Sequence, residues 1–217
     1  MARIDDFKES FRLASQELGR VNLHRVARQA GAEVHASDQG PLEIRVPFLG
    51  TIMVVRVGDT VDVVREGVEG EVSLPEKILI CHYLINASTE PPSGEPITFR
   101  QVPDGQFYFD AFQRRTRDPF LSVFGRDASL FRACAEALGG EPVDIGEAGM
   151  MFRVLPRITI RLALWQGDDE FPPEASVLFD DNIHLCLPVE DIAVLSGMLI
   201  YRLMGIARGM KSGPRGS

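Results

Sequence analysis

Carboxylates gather in one stretch of this 217-residue sequence. Between Asp168 and Asp181 there are six acidic residues and no lysine or arginine. Crowded carboxylates resist ionisation unless a cation lies near them, and hard cations such as Mg²⁺ and Ca²⁺ prefer surroundings made entirely of oxygen. One hypothesis is therefore a divalent metal site in the acidic segment 168–181. Its candidate ligands are Asp168, Glu170, Asp180 and His184.

Two other interpretations fit the same segment. In the first, the acids form a solvated turn whose charge is balanced by Arg157 and Arg161 on the preceding strand. In the second, the segment is a ligand-binding loop, since an aromatic side chain and several acids share one connection. The candidate binding residues are Trp165, Asp168, Glu170 and Asp180. The segment lacks the spacing of a calcium-binding loop, so the pattern leaves all three alternatives open.

The remaining reactive side chains carry weaker signals. No histidine has a partner at zinc-ligand spacing, although His82 or His184 could act as an axial ligand to a haem or corrinoid. The three cysteines, Cys81, Cys134 and Cys186, lie far apart and are odd in number, which predicts buried thiols and no disulfide framework. Nucleophile-elbow and phosphate-binding glycine motifs are absent from the sequence. The cofactor stays unassigned.

Charge and composition narrow the classes of partner. The formal net charge is −8 and 45% of residues are hydrophobic, as in ordinary globular proteins. Excess negative charge disfavours nucleic acid and anionic membrane surfaces. The cluster Arg114, Arg115 and Arg117 is interpreted as the cationic end of a helix, with the aromatic residues beside it in the core. The sequence shows no signal peptide, which predicts a cytoplasmic protein.

Hydrophobic periodicity predicts an α+β fold in which antiparallel sheets pack with helices. The alternating strand 158–165 leads into the acidic segment, which contains the strand 175–179. Residues 86–96, rich in proline and glycine, form the clearest linker. Ser73 and Glu76 have capping-box spacing at the start of an apolar helix.

The order of elements suggests an internal duplication. Residues 23–87 and 130–204 both run from a helix through strands to a helix that starts with Leu-Pro, and 88–129 joins them. A duplication predicts a pseudo-twofold arrangement of the halves inside one compact domain, 1–217. The alternative is that two unrelated stretches share a common α+β pattern.

Several motifs resemble a known family. They are Val46-Pro47-Phe48-Leu49-Gly50, the pattern Leu-Trp-x-Gly-Asp-x-Glu-Phe-Pro at 164–172, and Leu-Phe-Asp at 178–180. Together they resemble the family catalogued as domain of unknown function 3786, found largely in anaerobic bacteria and archaea. The resemblance implies anaerobic metabolism and a redox or cobalamin-linked accessory role. Some members carry an iron–sulfur domain with four cysteines, but this sequence has no cysteine before Cys81.

We therefore expect a cytoplasmic binding or accessory protein without enzymatic activity, whose ligand is a small molecule, a tetrapyrrole or a partner protein. The first alternative is a divalent-metal-dependent enzyme that uses the acidic segment 168–181. The second is a structural subunit of a complex, or a homodimer, in which the closing helix from Val189 to Met204 packs on a partner.

Overall fold

A computed structural model describes residues 4–35 and 41–212 of the chain. The chain divides into two compact units. The first comprises Met1–Pro91, Val154–Ile158 and Asn182–Asp191, and the second comprises Pro92–Arg153, Thr159–Asp181 and Ile192–Ser217. The boundary between Pro91 and Pro92 lies inside the predicted linker.

The first unit contains three helices and a four-stranded antiparallel sheet with the order β1-β2-β3-β4. The helices are α1 (Ile4–Leu18), α2 (Leu23–Ala30) and α3 (Leu74–Asn86). The strands are β1 (Glu33–His35), β2 (Leu42–Phe48), β3 (Thr51–Val57) and β4 (Val61–Arg65).

Local sequence signals explain where these elements begin and turn. The side chain of Asn22 accepts a hydrogen bond from the Arg25 backbone N–H and caps α2. The predicted capping box of Ser73 and Glu76 is present at the start of α3. The hairpin between β2 and β3 turns at Leu49 and Gly50, and both residues have positive φ angles. Positive φ at both central positions is what a two-residue type I′ hairpin turn requires.

The second unit contains a five-stranded antiparallel sheet with the order β5-β9-β8-β7-β6. The strands are β5 (Pro96–Thr98), β6 (Glu141–Val143), β7 (Ala148–Leu155), β8 (Ile158–Trp165) and β9 (Glu174–Asp180). The helices are α4 (Gly105–Arg115), α5 (Arg117–Phe124), α6 (Ala128–Ala137) and α7 (Val189–Ser212). The ends of β7, β8 and α7 at 154–158 and 189–191 belong to the first unit.

The α+β prediction is confirmed: helices accompany two antiparallel sheets. The order helix, four strands, helix occurs twice, as α2-β1-β2-β3-β4-α3 and as α6-β6-β7-β8-β9-α7. This order is compatible with a duplication of residues 23–87 and 130–204. The duplication, its pseudo-twofold arrangement and the single compact domain stay predictions.

The aromatic residues that precede the arginine cluster 114–117 are only partly in the core. Phe99 and Phe112 stack face to face with ring centroids 4.0 Å apart, and both are buried. Phe107, in contrast, leaves 85% of its surface exposed, and Tyr108 is also exposed. Assigning every aromatic residue of this segment to the core was therefore wrong. Within 4–35 and 41–212, no helix combines the length and the apolar character needed to cross a bilayer.

Candidate functional site

The loop that joins β8 to β9, residues 166–173, is shaped by the carboxylate of Asp168. Its Oδ1 accepts hydrogen bonds from the backbone N–H groups of Glu170 at 2.8 Å and Phe171 at 2.7 Å. The Asp168 N–H in turn donates to the Phe171 carbonyl at 3.0 Å. These bonds, the one from Phe171 first, hold the pKa of Asp168 below its usual range because they favour the ionised form. Asp168 is therefore a turn-forming residue.

The base of this β8–β9 loop is anchored to the start of α6. The Gly167 N–H donates to the Gly125 carbonyl at 2.9 Å, and the Gln166 side chain accepts from the Ala128 N–H at 3.0 Å. A Cβ atom at Gly167 would lie 2.5 Å from Cδ of Pro173, so only glycine fits there. The start of the loop is thus tied to the connection between α5 and α6, and Gly167 packs against Pro173 at the end of the loop.

Asp180, at the end of β9, is engaged by β8. Thr159 Oγ1 donates to its Oδ2, and Arg161 Nη1 donates to its Oδ1 at 2.8 Å. Arg161 thus balances part of the acidic segment, as expected. Arg157 does not: its side chain donates to the Gln29 carbonyl at 3.1 Å in the first unit. The carboxylate of Asp180 is satisfied by a partly buried ion pair.

The four candidate metal ligands are not gathered into one site. Among the residues that the structure describes, no three or more His, Cys, Asp or Glu side chains are placed to hold a metal ion. Asp181 accepts from the Ser93 N–H at 2.9 Å, and Asn182 donates to the Glu90 carbonyl at 2.7 Å. These two side chains thus hold the linker segment, residues 86–96.

The side chains that the end of β8 and the β8–β9 loop leave exposed are aromatic and acidic. Trp165 is 40% exposed and Phe171 is 67% exposed, while Asp169 and Glu170 face solvent. Sequence analysis did not select Phe171 as a binding residue. Its position between Glu170 and two prolines could have identified it, because this stretch has no apolar periodicity that would place the ring in the core.

Comparison with known proteins adds one finding. The family model described as domain of unknown function (DUF3786) matches residues 22–202. The chain belongs to the DUF3786 family. No curated protein and no solved structure matches the chain. The match includes the β8–β9 loop and begins after α1.

A second titratable group of the DUF3786 chain lies in the first unit. His82 Nδ1, on α3, lies 2.6 Å from Asp191 Oδ2, in the first turn of α7. This hydrogen bond is the main reason why the pKa of His82 is raised above its ordinary value, and the charges of Asp191, Glu17 and Glu190 add to it. The Asp191 carboxylate fixes the orientation of the ring through Nδ1, as carboxylates do for histidines that bind metals through the other ring nitrogen. A haem or corrinoid ligand at His82 or His184 stays a prediction.

The cysteines of the DUF3786 chain are not poised for chemistry. All three are free and buried. Burial raises the pKa of the Cys81 thiol to about 12 and also raises the pKa values of Cys134 and Cys186. Because the thiolate is the nucleophile, these side chains are unreactive near neutral pH and act as small hydrophobic residues.

Proposed function

We propose that this DUF3786 protein is a cytoplasmic binding or accessory protein that recognises a basic segment of a partner protein through its β8–β9 loop. The observation that carries the proposal is the exposure of Phe171, on a loop shaped by its own hydrogen bonds, and of Trp165, the last residue of β8. Large aromatic side chains dominate the energy of protein interfaces. A preorganised loop also loses little conformational entropy on binding.

The roles of the motif residues support this assignment. Gly167 and Pro173 pack against each other, and the Asp168 carboxylate accepts the hydrogen bonds of the turn. Structure thus accounts for these three residues. Packing accounts for less of the phenylalanine at 171, which leaves 67% of its surface exposed, and for only part of the tryptophan at 165, which leaves 40% exposed.

Charge favours a basic partner. Asp169, Glu170 and Glu174 are exposed, and the acidic segment 168–181 contains no lysine or arginine. An arginine of the partner could pair with these carboxylates while it stacks on Phe171 or Trp165. Such complementarity increases association rate and specificity more than it increases affinity.

The proposal is tested with a short peptide of alternating arginine and glycine, titrated calorimetrically into the full-length protein. We expect saturable binding, which Phe171→Ala weakens at least about tenfold, equivalent to about 1.4 kcal/mol. Glu170→Gln should weaken it less, since an exposed ion pair contributes at most about 1 kcal/mol. The matched control is Phe107→Ala, which removes an even more exposed ring from α4, outside the loop. Equal weakening by Phe107→Ala, or no effect of Phe171→Ala, would contradict the proposal.

The two alternative functions, a divalent-metal-dependent enzyme and a structural subunit, depend on different residues. A divalent-metal-dependent enzyme would have to release Asp168 from its turn and Asp180 from Arg161. A structural subunit built on α7 would rely on the large apolar side chains that this helix leaves exposed, Tyr201 and Met210, because Leu195, Leu199 and Leu203 are buried.

The cellular setting of the proposal comes from the family resemblance. We propose an accessory role in a redox or corrinoid-linked process of an anaerobe. An absorbance spectrum of protein purified without oxygen tests this setting. A visible chromophore that His82→Ala or His184→Ala removes would support it, and a protein without any bound chromophore would count against it.

A further inference from the structure

A second candidate site lies in the second unit, where strand β9 loses its neighbour. Strand β5 pairs only with residues 178–180 of β9, because the chain turns away at Thr98 into a short 3-10 turn. Among the described residues, no strand therefore pairs with the preceding residues of β9, 175–177, on that side. They form one wall of a cleft of about 190 Å³, whose other walls are the 3-10 turn, α4 and the start of α5.

The charged side chains of this cleft are both cationic. Arg100 lies over the ring of Phe109, with its guanidinium carbon 3.9 Å from the ring centroid. Arg117, the first residue of α5, lines the same cleft, and none of the lining residues is acidic. In a chain with net charge −8, this is an unusual local reversal of sign. We call this site the arginine cleft.

The two cations are not neutralised by strong internal ion pairs. In the described ranges, no carboxylate forms an ion pair with Arg100. Arg117 has Asp118 beside it, but Nη1 and Oδ1 are 3.6 Å apart, beyond hydrogen-bond distance. Correcting the sequence-based interpretation, Arg117 does not end a helix: α4 ends at Arg115, and Arg117 opens the next helix.

Neutral polar groups complete the lining. Gln113, on α4, and Ser176, on β9, are the uncharged polar residues that line the cleft beside Thr98. Phe112 supports the back of the cleft through its stack with Phe99. The cleft therefore offers two guanidinium groups, further hydrogen-bonding groups and a rigid aromatic wall.

We propose that the arginine cleft binds a small organic oxyanion, with its carboxylate or phosphate on the arginines and a flat apolar part against Phe109. Planar guanidinium groups match the oxygens of carboxylate and phosphate, often through two parallel hydrogen bonds. A cleft of about 190 Å³ suits a small ligand, such as one aromatic ring that carries a single anionic group. This site is separate from the surface proposed for the partner protein.

Calorimetric titration of the full-length protein with phenyl phosphate, benzoate and inorganic phosphate tests the proposal. We expect saturable binding of phenyl phosphate or benzoate, tighter than that of inorganic phosphate because of the aromatic wall. The relative affinity of the two aromatic probes identifies the anionic group. Arg100→Gln and Arg117→Gln should each weaken binding at least tenfold.

The controls separate this proposal from the previous one. Arg114→Gln removes an exposed arginine of α4 outside the cleft and should leave binding unchanged. Phe171→Ala should also leave it unchanged, so the two sites can fail independently. Absence of saturable binding of all three probes, or equal weakening by Arg114→Gln, would overturn the assignment. Thermal unfolding of each variant confirms that lost binding is not lost folding.

Discussion

At the scale of single residues, the β8–β9 loop separates side chains that hold its shape from side chains that it exposes. Asp168 uses its carboxylate on the N–H groups of Glu170 and Phe171. Phe171 takes part in the same turn only through its backbone N–H and carbonyl, and its ring is exposed to solvent. Sequence analysis located this loop but could not divide its residues in this way, because the acids look alike until their hydrogen-bond partners are known.

Substitution of Asp168 tests its shaping role. Asp168→Ala removes the acceptor and should speed amide hydrogen exchange at Glu170 and Phe171. Asp168→Asn keeps an oxygen that can accept the same bonds and should protect these amides nearly as well. Asp169→Asn is the control for charge, because it neutralises the adjacent carboxylate and leaves the turn-forming Asp168 unchanged. Equal exchange in Asp168→Ala and the wild-type protein would contradict the role.

The same bonds predict a dependence on pH. Because they lower the folded-state pKa of Asp168, their contribution is present above the unfolded pKa of about 3.9 and is lost as pH falls through the lowered folded value. Amide protection of Phe171 should therefore persist at neutral pH and decrease only in strong acid. Protection lost already above about pH 5 would contradict this prediction.

At the scale of elements, close packing fixes the connection between β8 and β9. Gly167→Ala would place a methyl group 2.5 Å from Pro173 Cδ and should lower the free energy of unfolding by about 2 kcal/mol. The opposite sign is expected for Gly205→Ala in α7, where a methyl group meets nothing within 4 Å. Better helix propensity should stabilise that variant by about 1 kcal/mol. Urea unfolding measures both effects, and a harmless Gly167→Ala would contradict the packing argument.

The ion pair of His82 and Asp191 connects α3 with the first turn of α7. Asp191→Asn or His82→Gln should cost about 2 kcal/mol, as expected for a hydrogen bond between charged groups. Since the folded-state pKa of His82 is raised, the pair stabilises the fold fully below the unfolded pKa of about 6.5 and progressively less as pH rises through the folded value. The destabilisation measured in urea should therefore be larger near pH 5.5 than near pH 9.

The control for this pair is His24→Gln, which changes an exposed histidine of α2. It should leave the free energy of unfolding nearly unchanged at both pH values. A His82→Gln effect that grows with pH would show that the sign of the shift is wrong.

The elements that sequence analysis missed are short or carry proline. Strand β5 has three residues and begins with Pro96, so it offers no alternation to detect. Helix α5 contains Pro119, which usually signals a break. A proline is tolerated in the first turn of a helix because the N–H groups there lack intrahelical partners. Missing α5 led directly to the wrong interpretation of Arg117.

At the scale of the whole molecule, the sequence predicted the α+β class, one compact domain and a linker at 86–96, and the division into two units after Pro91 falls inside that linker. It could not predict that the β7–β8 turn, 154–158, belongs to the first unit, since contacts between distant segments leave no local pattern. Net charge also conceals local differences. A chain of charge −8 carries both an acidic, aromatic loop and a cleft with two arginines.

The central claim, that the β8–β9 loop is a binding surface, can be tested by fluorescence. Trp165 is the only tryptophan in the chain, so its emission reports on the loop directly. Titration with the arginine–glycine peptide should change this emission saturably, less so in Phe171→Ala and more weakly at high salt. An emission that stays constant across the titration, or that changes identically in the wild-type protein and Phe171→Ala, would contradict the claim.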